Sequence, residues 1–321
     1  MKFLMVFCVV FVLVYLTFPY IIRLAHKLGI VDLPTKRKDH TKPIPILGSF
    51  GLFLGYIIGI IVSILFFEDT LGLKDWVVFG TTFMVLIIGW IDDFQKSRGK
   101  EFPPFPKFIV QVSAAIIVAV IGVRFKGFVI PFSQIYFEIP YLLQILITVT
   151  WIFGVTTVMN FTDGMDGLAS GIAAISGLTF FLIAIDNQNY STATLAITIV
   201  ASALAFLQFN KHPAKIYMGD AGATFLGFLL AIIAIEATLQ NKPSFTYLFI
   251  PILAISVPIL DNIYVVLIRI YNKKPIYIAD AGQIHHRLRR NGMPVKHVVL
   301  FLYLISIIFS LIAVIMHLLH V

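Results

Sequence analysis

"LASGIAAISGLTFFLIAI", residues 168–185, runs for 18 residues without a charged side chain. A bilayer core about 30 Å thick asks for about 20 predominantly apolar residues in one helix, so this stretch predicts a transmembrane span. Nine further windows read the same way, near 3–22, 46–67, 76–91, 108–123, 141–159, 192–209, 221–239, 245–270 and 297–317. The windows at 76–91 and 108–123 are short for a span, yet both are free of charge. The chain is 59% hydrophobic and only 12% charged, where soluble domains carry about 25% charged residues. The expected fold is therefore all-α: a polytopic membrane bundle of about ten transmembrane helices, forming one domain over 1–321 with no separable soluble part.

Lys2 before the first window resembles the start of a signal peptide, but no small-residue cleavage pattern follows. "RLAHKLGIVDLPTKRKDH" (23–40) reads as a loop, so the window is expected to remain as a span. Cys8, the single cysteine, lies inside it and has no disulfide partner.

Ten spans divide the connections into two alternating sets. One set, 23–45, 92–107, 160–167, 210–220 and 269–296, holds 19 of the 24 basic residues. By the positive-inside rule that set is cytoplasmic and both termini lie outside. The net charge of +8 then reflects topology first and anion binding second; nucleic acid is not an expected partner.

Carboxylates at membrane depth are costly and mark function. Under this topology all three acidic clusters fall on the basic face. "GWIDDFQKSRGK" (89–100) places Asp92 and Asp93 just before Lys96, Arg98 and Lys100; taken alone, the pair could be a solvated helix end. "NFTDGMDGLASG" (160–171) sets Asp163 and Asp166 three apart, sharing a face if helical, with Asn160 one turn earlier. Such oxygens suit a hard cation that completes its shell with water and substrate phosphates. The competing reading makes Asp163 an N-cap of the next helix, which leaves Asp166 unexplained.

"FNKHPAKIYMGDAGATFLG" (209–227) adds Asn210, Tyr217 and Asp220 at a helix start, where a cap and a phosphate site are both natural. "YNKKPIYIADAGQIHHRLRRNGM" (271–293) carries His285, His286 and Arg287 near Asp280. Imidazoles beside guanidinium groups suit a pyrophosphate; zinc would want further ligands, and a basic patch for lipid headgroups leaves the histidines idle. Neither a Walker loop nor a dinucleotide fingerprint is present. Acids, lysines and a His/Arg loop on one face describe a metal-assisted phosphate site whose substrate is half soluble and half lipid.

The ordered series of motifs resembles the polyprenyl-phosphate N-acetylhexosamine-1-phosphate transferases over nearly the whole chain. "VDLPTKRKDHTKPIPILGS" (31–49) is similar to the family's D-x-P-x-x-R-K-x-H-x-x-P-x-P-R-x-G segment, and the Asp-Asp, N-x-x-D-G-x-D-G, N-x-x-P-A-x-x-x-x-G-D-x-G and H-x-H-H-R loops follow. The resemblance implies ten or eleven helices in a bacterial plasma membrane, a cytoplasmic Mg²⁺ site (Mn²⁺ as substitute), and transfer of a sugar 1-phosphate from a UDP-sugar to undecaprenyl phosphate with release of UMP. Carried over, it makes Asp220 a metal ligand, with Asn160 and the Asp92/Asp93 pair as its supports, and has Asp92 or Asp93 activate the lipid phosphate. Asp163 and Asp166 would line the nucleotide pocket, with Tyr217 against uracil. His40, Lys96, Lys100, Asn210 and Arg287 would bind substrate, Lys107 would stand near phosphates, and His285 and His286 would meet the pyrophosphate or sugar. A homodimer is a further expectation.

Two departures stand out. Ala281 and Gln283 replace an arginine and a histidine of the family's D-R-x-H-x-H-H-R loop, and Ile46 replaces the arginine of P-R-x-G. UDP-GlcNAc is the expected donor, because the class using UDP-MurNAc-pentapeptide has P-x-H-H-H-x-E, which this loop does not match; UDP-GalNAc stays open. A proton- or metal-coupled transporter is the rival class, but transporters place binding groups near the midplane. Only Asp261 and Glu236 depart from the span ends, and Pro258 predicts a break in the overlong ninth window that would open a groove for a prenyl chain. A scaffold without chemistry leaves the acids unused.

Overall fold

A computed structural model describes residues 1–33, 42–67, 71–130, 133, 135–240, 243–273 and 282–319. His40, Asp280 and Ala281 fall outside the described residues, as do Lys36, Arg37 and Lys38.

Nine helices are long and apolar enough to cross a membrane among the described residues, ten if one bent pair counts as a span. They are α1 (Lys2–Leu28), α2 (Gly48–Phe67), α3 (Leu73–Ser97), α4 (Pro104–Ile121), α5 (Tyr141–Thr162), α6 (Leu168–Asp186), α7 (Tyr190–Asn210), α8 (Gly219–Thr238), the pair α9 (Phe249–Ala254) and α10 (Ser256–Tyr271), and, after the short α11 (Ile284–Arg290), α12 (Val295–Leu318). Two short antiparallel pairs, β1 (Val31–Asp32) with β2 (Ile44–Pro45) and β3 (Gly127–Val129) with β4 (Tyr136–Glu138), close loops outside the spans. Each apolar window read from the sequence corresponds to one of these elements. Helices satisfy their own backbone donors, which is what lets them cross hydrocarbon.

The bundle is built around α8, which is buried from Ala221 to Thr238 except at Glu236. α3 and α5 pack along it, and α6, α2 and α7 complete the ring. Its small residues admit this crowding: a side chain at Gly227 would meet the Thr156 Cα at 2.8 Å. The small residues of 221–239 thus serve contacts within the chain and are not on offer to a second copy.

The ninth window breaks near Pro258, at Ile255. α9 and α10 meet at 90°. Proline lacks the N–H that would bond the carbonyl four residues back; here that is Ala254, and its oxygen instead accepts from the Ser176 hydroxyl at 2.6 Å. Asp261 therefore sits beyond the bend, on the half-helix leading to α11.

Close approach of α3 to α8 rests on Gly89, where an added Cβ would lie 2.4 Å from the Ala221 Cα. Backbone cannot yield as a side chain does, so Gly89→Ala is expected to cost about 1–3 kcal/mol of overpacking strain. The apparent unfolding midpoint in detergent checks this, and an unchanged midpoint would contradict the packing.

Candidate active site

Three helix ends converge where α3, α4 and α8 meet. α3 does not stop at Ile91 as its apolar window does; it runs on to Ser97, carrying Asp92 and Asp93 into the bundle as buried residues. The solvated-loop reading of the pair is thereby excluded. The two aspartates, adjacent in sequence, point to different partners.

Asp93 clamps a helix. Its Oδ1 accepts from the Asp220 N–H at 2.9 Å and its Oδ2 from the Ala221 N–H at 3.0 Å. The first N–H groups of a helix have no partner within it, and Asp93, from another helix, fills that role for α8. Asp220 is accordingly not the cap of its own helix: the residue at that position is Met218, with no side-chain bond.

Asp92 faces the charged cluster. Lys107 of α4 donates to Asp92 Oδ2 at 2.6 Å and to Asp220 Oδ2 at 2.5 Å. Lys96, one turn beyond Asp92, reaches Asp92 at 3.1 Å and Asp220 at 2.8 Å. Two ammonium groups thus hold two carboxylates together at a site where a phosphate could exchange for either.

The α5–α6 connection forms the opposite wall. Residues 163–167 make a turn, not a helix, so Asp163 and Asp166 do not share a helical face. Gly167, at φ 81°, is a backbone position few other residues adopt. Neither aspartate caps α6, whose N-cap is Gly167. Asp166 Oδ2 accepts from the Ala214 N–H at 3.1 Å and lies 2.8 Å from His212 Nδ1, tying this turn to the α7–α8 connection. Asn210 adds a second tie, accepting from the Gly167 N–H and donating to the Ile216 carbonyl, both at 2.9 Å. Asp163 has no side-chain hydrogen bond among the described residues. Burial first, then the nearby carboxylates of Asp220, Asp93 and Asp166, raise its pKa well above the usual carboxylate range.

α11 closes the site from the side. Its first N–H, on Ile284, donates to Asp261 Oδ1 at 2.8 Å, and Arg287 stacks on Tyr264 at 3.9 Å from the ring centroid. Both anchors belong to α10, so the bent span carries the His/Arg helix. His285 is buried, with its Nε2 unpaired among the described residues. Burial and the adjacent His286 hold its pKa down at about 3, leaving the imidazole neutral. That nitrogen lies 2.4 Å from where a Cβ on Gly164 would stand. Gly164→Ala is expected to displace His285 and lower kcat/KM by about 10- to 100-fold, the usual cost of misplacing a site group by about 1 Å. A steady-state assay checks it, and full activity would detach His285 from the site.

Other residues singled out in the sequence lie further from the cluster or contribute backbone. Tyr217 bonds through its main chain, donating to the Pro45 carbonyl at 2.8 Å and accepting from the Gly48 N–H at 2.9 Å. Lys100 lines a separate cleft between α1, α2 and α3. Sequence reasoning passed over His212, inside a quoted motif, and Tyr303, whose hydroxyl donates to the Gly167 carbonyl at 2.5 Å; no local pattern distinguishes that tyrosine in an apolar span.

The donor set suits a hard divalent cation. No three His, Cys, Asp or Glu side chains form a closed cage among the described residues, but Mg²⁺ is usually held by one or two carboxylates, waters and substrate phosphates. Asp163, in the field of Asp220, and the half-buried Asn160 offer side-chain oxygens without hydrogen-bond partners among the described residues. The like-charge field on Asp163 is what a cation would relieve.

The profile of glycosyl transferase family 4 matches residues 76–238, just over half of the chain and the segment that holds every acid of the cluster. The chain belongs to glycosyl transferase family 4. Among relatives in this family, it is 35% identical over 298 residues, 93% of its length and 80% of the other's, to the probable undecaprenyl-phosphate N-acetylglucosaminyl 1-phosphate transferase of Bacillus subtilis. It is 29% identical over 306 residues, 88% of its length and 74% of the other's, to the decaprenyl-phosphate N-acetylglucosaminephosphotransferase of Mycobacterium tuberculosis. The phospho-N-acetylmuramoyl-pentapeptide-transferase of Listeria monocytogenes is 30% identical over 224 residues, with 68% of each chain covered. The two GlcNAc-named family 4 relatives thus align over more of the chain than the pentapeptide-named one. Membership makes this a phosphotransferase of the membrane, not a transporter or a scaffold.

Proposed function

We propose that this protein transfers GlcNAc 1-phosphate from UDP-GlcNAc to undecaprenyl phosphate at the cytoplasmic face of a bacterial plasma membrane, releasing UMP. The observation that carries the reading is the cluster in which Lys96 and Lys107 bridge Asp92 and Asp220 beside Asp163, which has no side-chain hydrogen bond among the described residues.

An oxygen of the lipid phosphate attacks the β-phosphorus of the donor. A new P–O bond forms there, the bond from that phosphorus to the bridging oxygen breaks, and UMP leaves with the α-phosphate. Both reactants are anions; Asp220 with Asn160 or Asp163 would hold a Mg²⁺, which would supply charge neutralisation at the pyrophosphate. Lys96 and Lys107 exchange carboxylate for phosphate oxygens and stabilise the charge that develops during transfer. Asp92, on the same lysines, positions the lipid phosphate or takes its proton. Asp93 holds α8 in place, both of its oxygens being committed to backbone N–H groups. Neutral His285, with His286 and Arg287, orients the sugar or pyrophosphate over the 163–167 turn.

The deciding experiment is UMP release by purified protein with undecaprenyl phosphate and Mg²⁺ or Mn²⁺, comparing UDP-GlcNAc, UDP-GalNAc and UDP-MurNAc-pentapeptide. Release that needs lipid and metal and is fastest with UDP-GlcNAc supports the reading; preference for another donor overturns the sugar, and no release with any donor overturns the reaction.

A further inference from the structure

Beside Asp93 a cleft of about 720 Å³, lined by neither Lys96 nor Lys107, opens between α1, α2 and α3. Leu24 and Leu28 of α1, Phe50 of α2 and Trp90 and Phe94 of α3 wall it. Phe50 and Trp90 stack with ring centroids 4.2 Å apart, and the Trp90 indole N–H is fixed on the Ser49 hydroxyl at 2.9 Å. Apart from Trp90, these wall residues are exposed, as surfaces meant for hydrocarbon would be.

The rim is cationic. Arg98, at the end of α3, lies over the Phe94 ring at 4.1 Å. Gly99, at φ 71°, turns the chain back so that the Lys100 N–H bonds the Gln95 carbonyl at 3.0 Å, which keeps Lys100 beside the same opening. Neither cation has an ion-pair partner among the described residues. An apolar space beside two cations that have no ion-pair partner among the described residues, at the end of a membrane helix, complements an anionic headgroup on a hydrocarbon tail.

The reacting lipid is a poor match for this place. Asp92, Lys96, Lys107, Asp163 and Asp220 do not line the cleft, and Asp93 stands between with both oxygens occupied. A phosphate seated here is cut off from the cluster, and the carboxylate floor keeps an anion at the rim. We propose that the cleft binds one anionic phospholipid of the surrounding bilayer, its acyl chain against Phe50 and Trp90 and its phosphate between Arg98 and Lys100. Bound there, it fills the gap between α1 and α3 beside the carboxylate that holds α8.

Trp90 is a built-in reporter. The full-length protein is placed in phosphatidylcholine vesicles containing brominated-chain phosphatidylglycerol or, separately, brominated-chain phosphatidylcholine, and Trp90→Phe assigns the quenched signal. The expected result is quenching at a lower mole fraction of the anionic lipid, weakened by added salt. Arg98→Gln and Lys100→Gln are each expected to reduce that preference by about five-fold, the weight of one interfacial cation. Equal quenching by both lipids overturns the proposal, as does a preference that survives in the double variant. Absence of quenching by either lipid assigns the cleft to a second copy of the chain and also overturns it. So does displacement of the brominated lipid by equimolar undecaprenyl phosphate, which reassigns the site to the carrier. The signal is read without donor or turnover, so it fails or succeeds independently of the proposed reaction.

Discussion

Asp220→Asn is expected to release UMP at least about 10³-fold more slowly than the wild type, a loss on the scale of removing a charge-stabilising group from a preorganised site. The substitution keeps the shape of the side chain and removes its charge. Asp220 is the acceptor that Lys96 and Lys107 share with Asp92, and the carboxylate proposed to hold the cation. Without it both lysines turn wholly to Asp92, and the donor pyrophosphate meets a site whose positive charge is no longer placed for it. Because Asp93 holds the α8 terminus through backbone N–H groups, the Asp220 side chain is not needed to cap that helix. The variant should therefore stay monodisperse with a near-normal unfolding midpoint, so that the loss is one of turnover. Raising Mg²⁺ should not restore it. Activity within about ten-fold of wild type at low Mg²⁺ would remove Asp220 from the centre of the mechanism.

Much of this architecture is legible because a transmembrane helix is a local property. A charge-free run near 168–185 must become a span whatever surrounds it, and each such window corresponds to a helix. The site is less legible because its parts act across the chain. Asp92 and Asp93 look alike in sequence; only the approach of α8 at Gly89 turns one toward backbone N–H groups and the other toward lysines. Spacing puts Asp163 and Asp166 on one face only if the segment is helical, whereas residues 163–167 form a turn in which Asp166 bonds the α7–α8 connection and Asp163 has no side-chain hydrogen bond among the described residues. Pro258 signals a nearby break but not what satisfies the carbonyl it frees four residues earlier, which is Ser176 on another helix. Gly164 is needed as glycine because of His285, 121 positions later in the chain. Such a reason has no local signature.

The division of labour between the adjacent aspartates leads to the second large effect. Asp92→Asn and Asp93→Ala should both lower UMP release by about 10²-fold or more, as expected when a charged group or its geometry is lost from a preorganised site, but only one of them should weaken the fold. Asp92→Asn removes a buried acid from a crowded anionic cluster and leaves backbone bonding intact, so its midpoint should not fall. Asp93→Ala strands the Asp220 and Ala221 N–H groups inside the bundle, and each orphaned donor costs about 1–3 kcal/mol. Its midpoint should fall clearly, and Asp93→Asn, which keeps one acceptor oxygen but turns an NH₂ toward the second N–H, should lie between. Thermal unfolding in detergent alongside the UMP assay separates these outcomes. Equal destabilisation by the two changes would mean that Asp92 also carries the helix. A stable Asp93→Ala with full loss of turnover would mean that Asp93 meets substrate directly, and the activating role would pass to it.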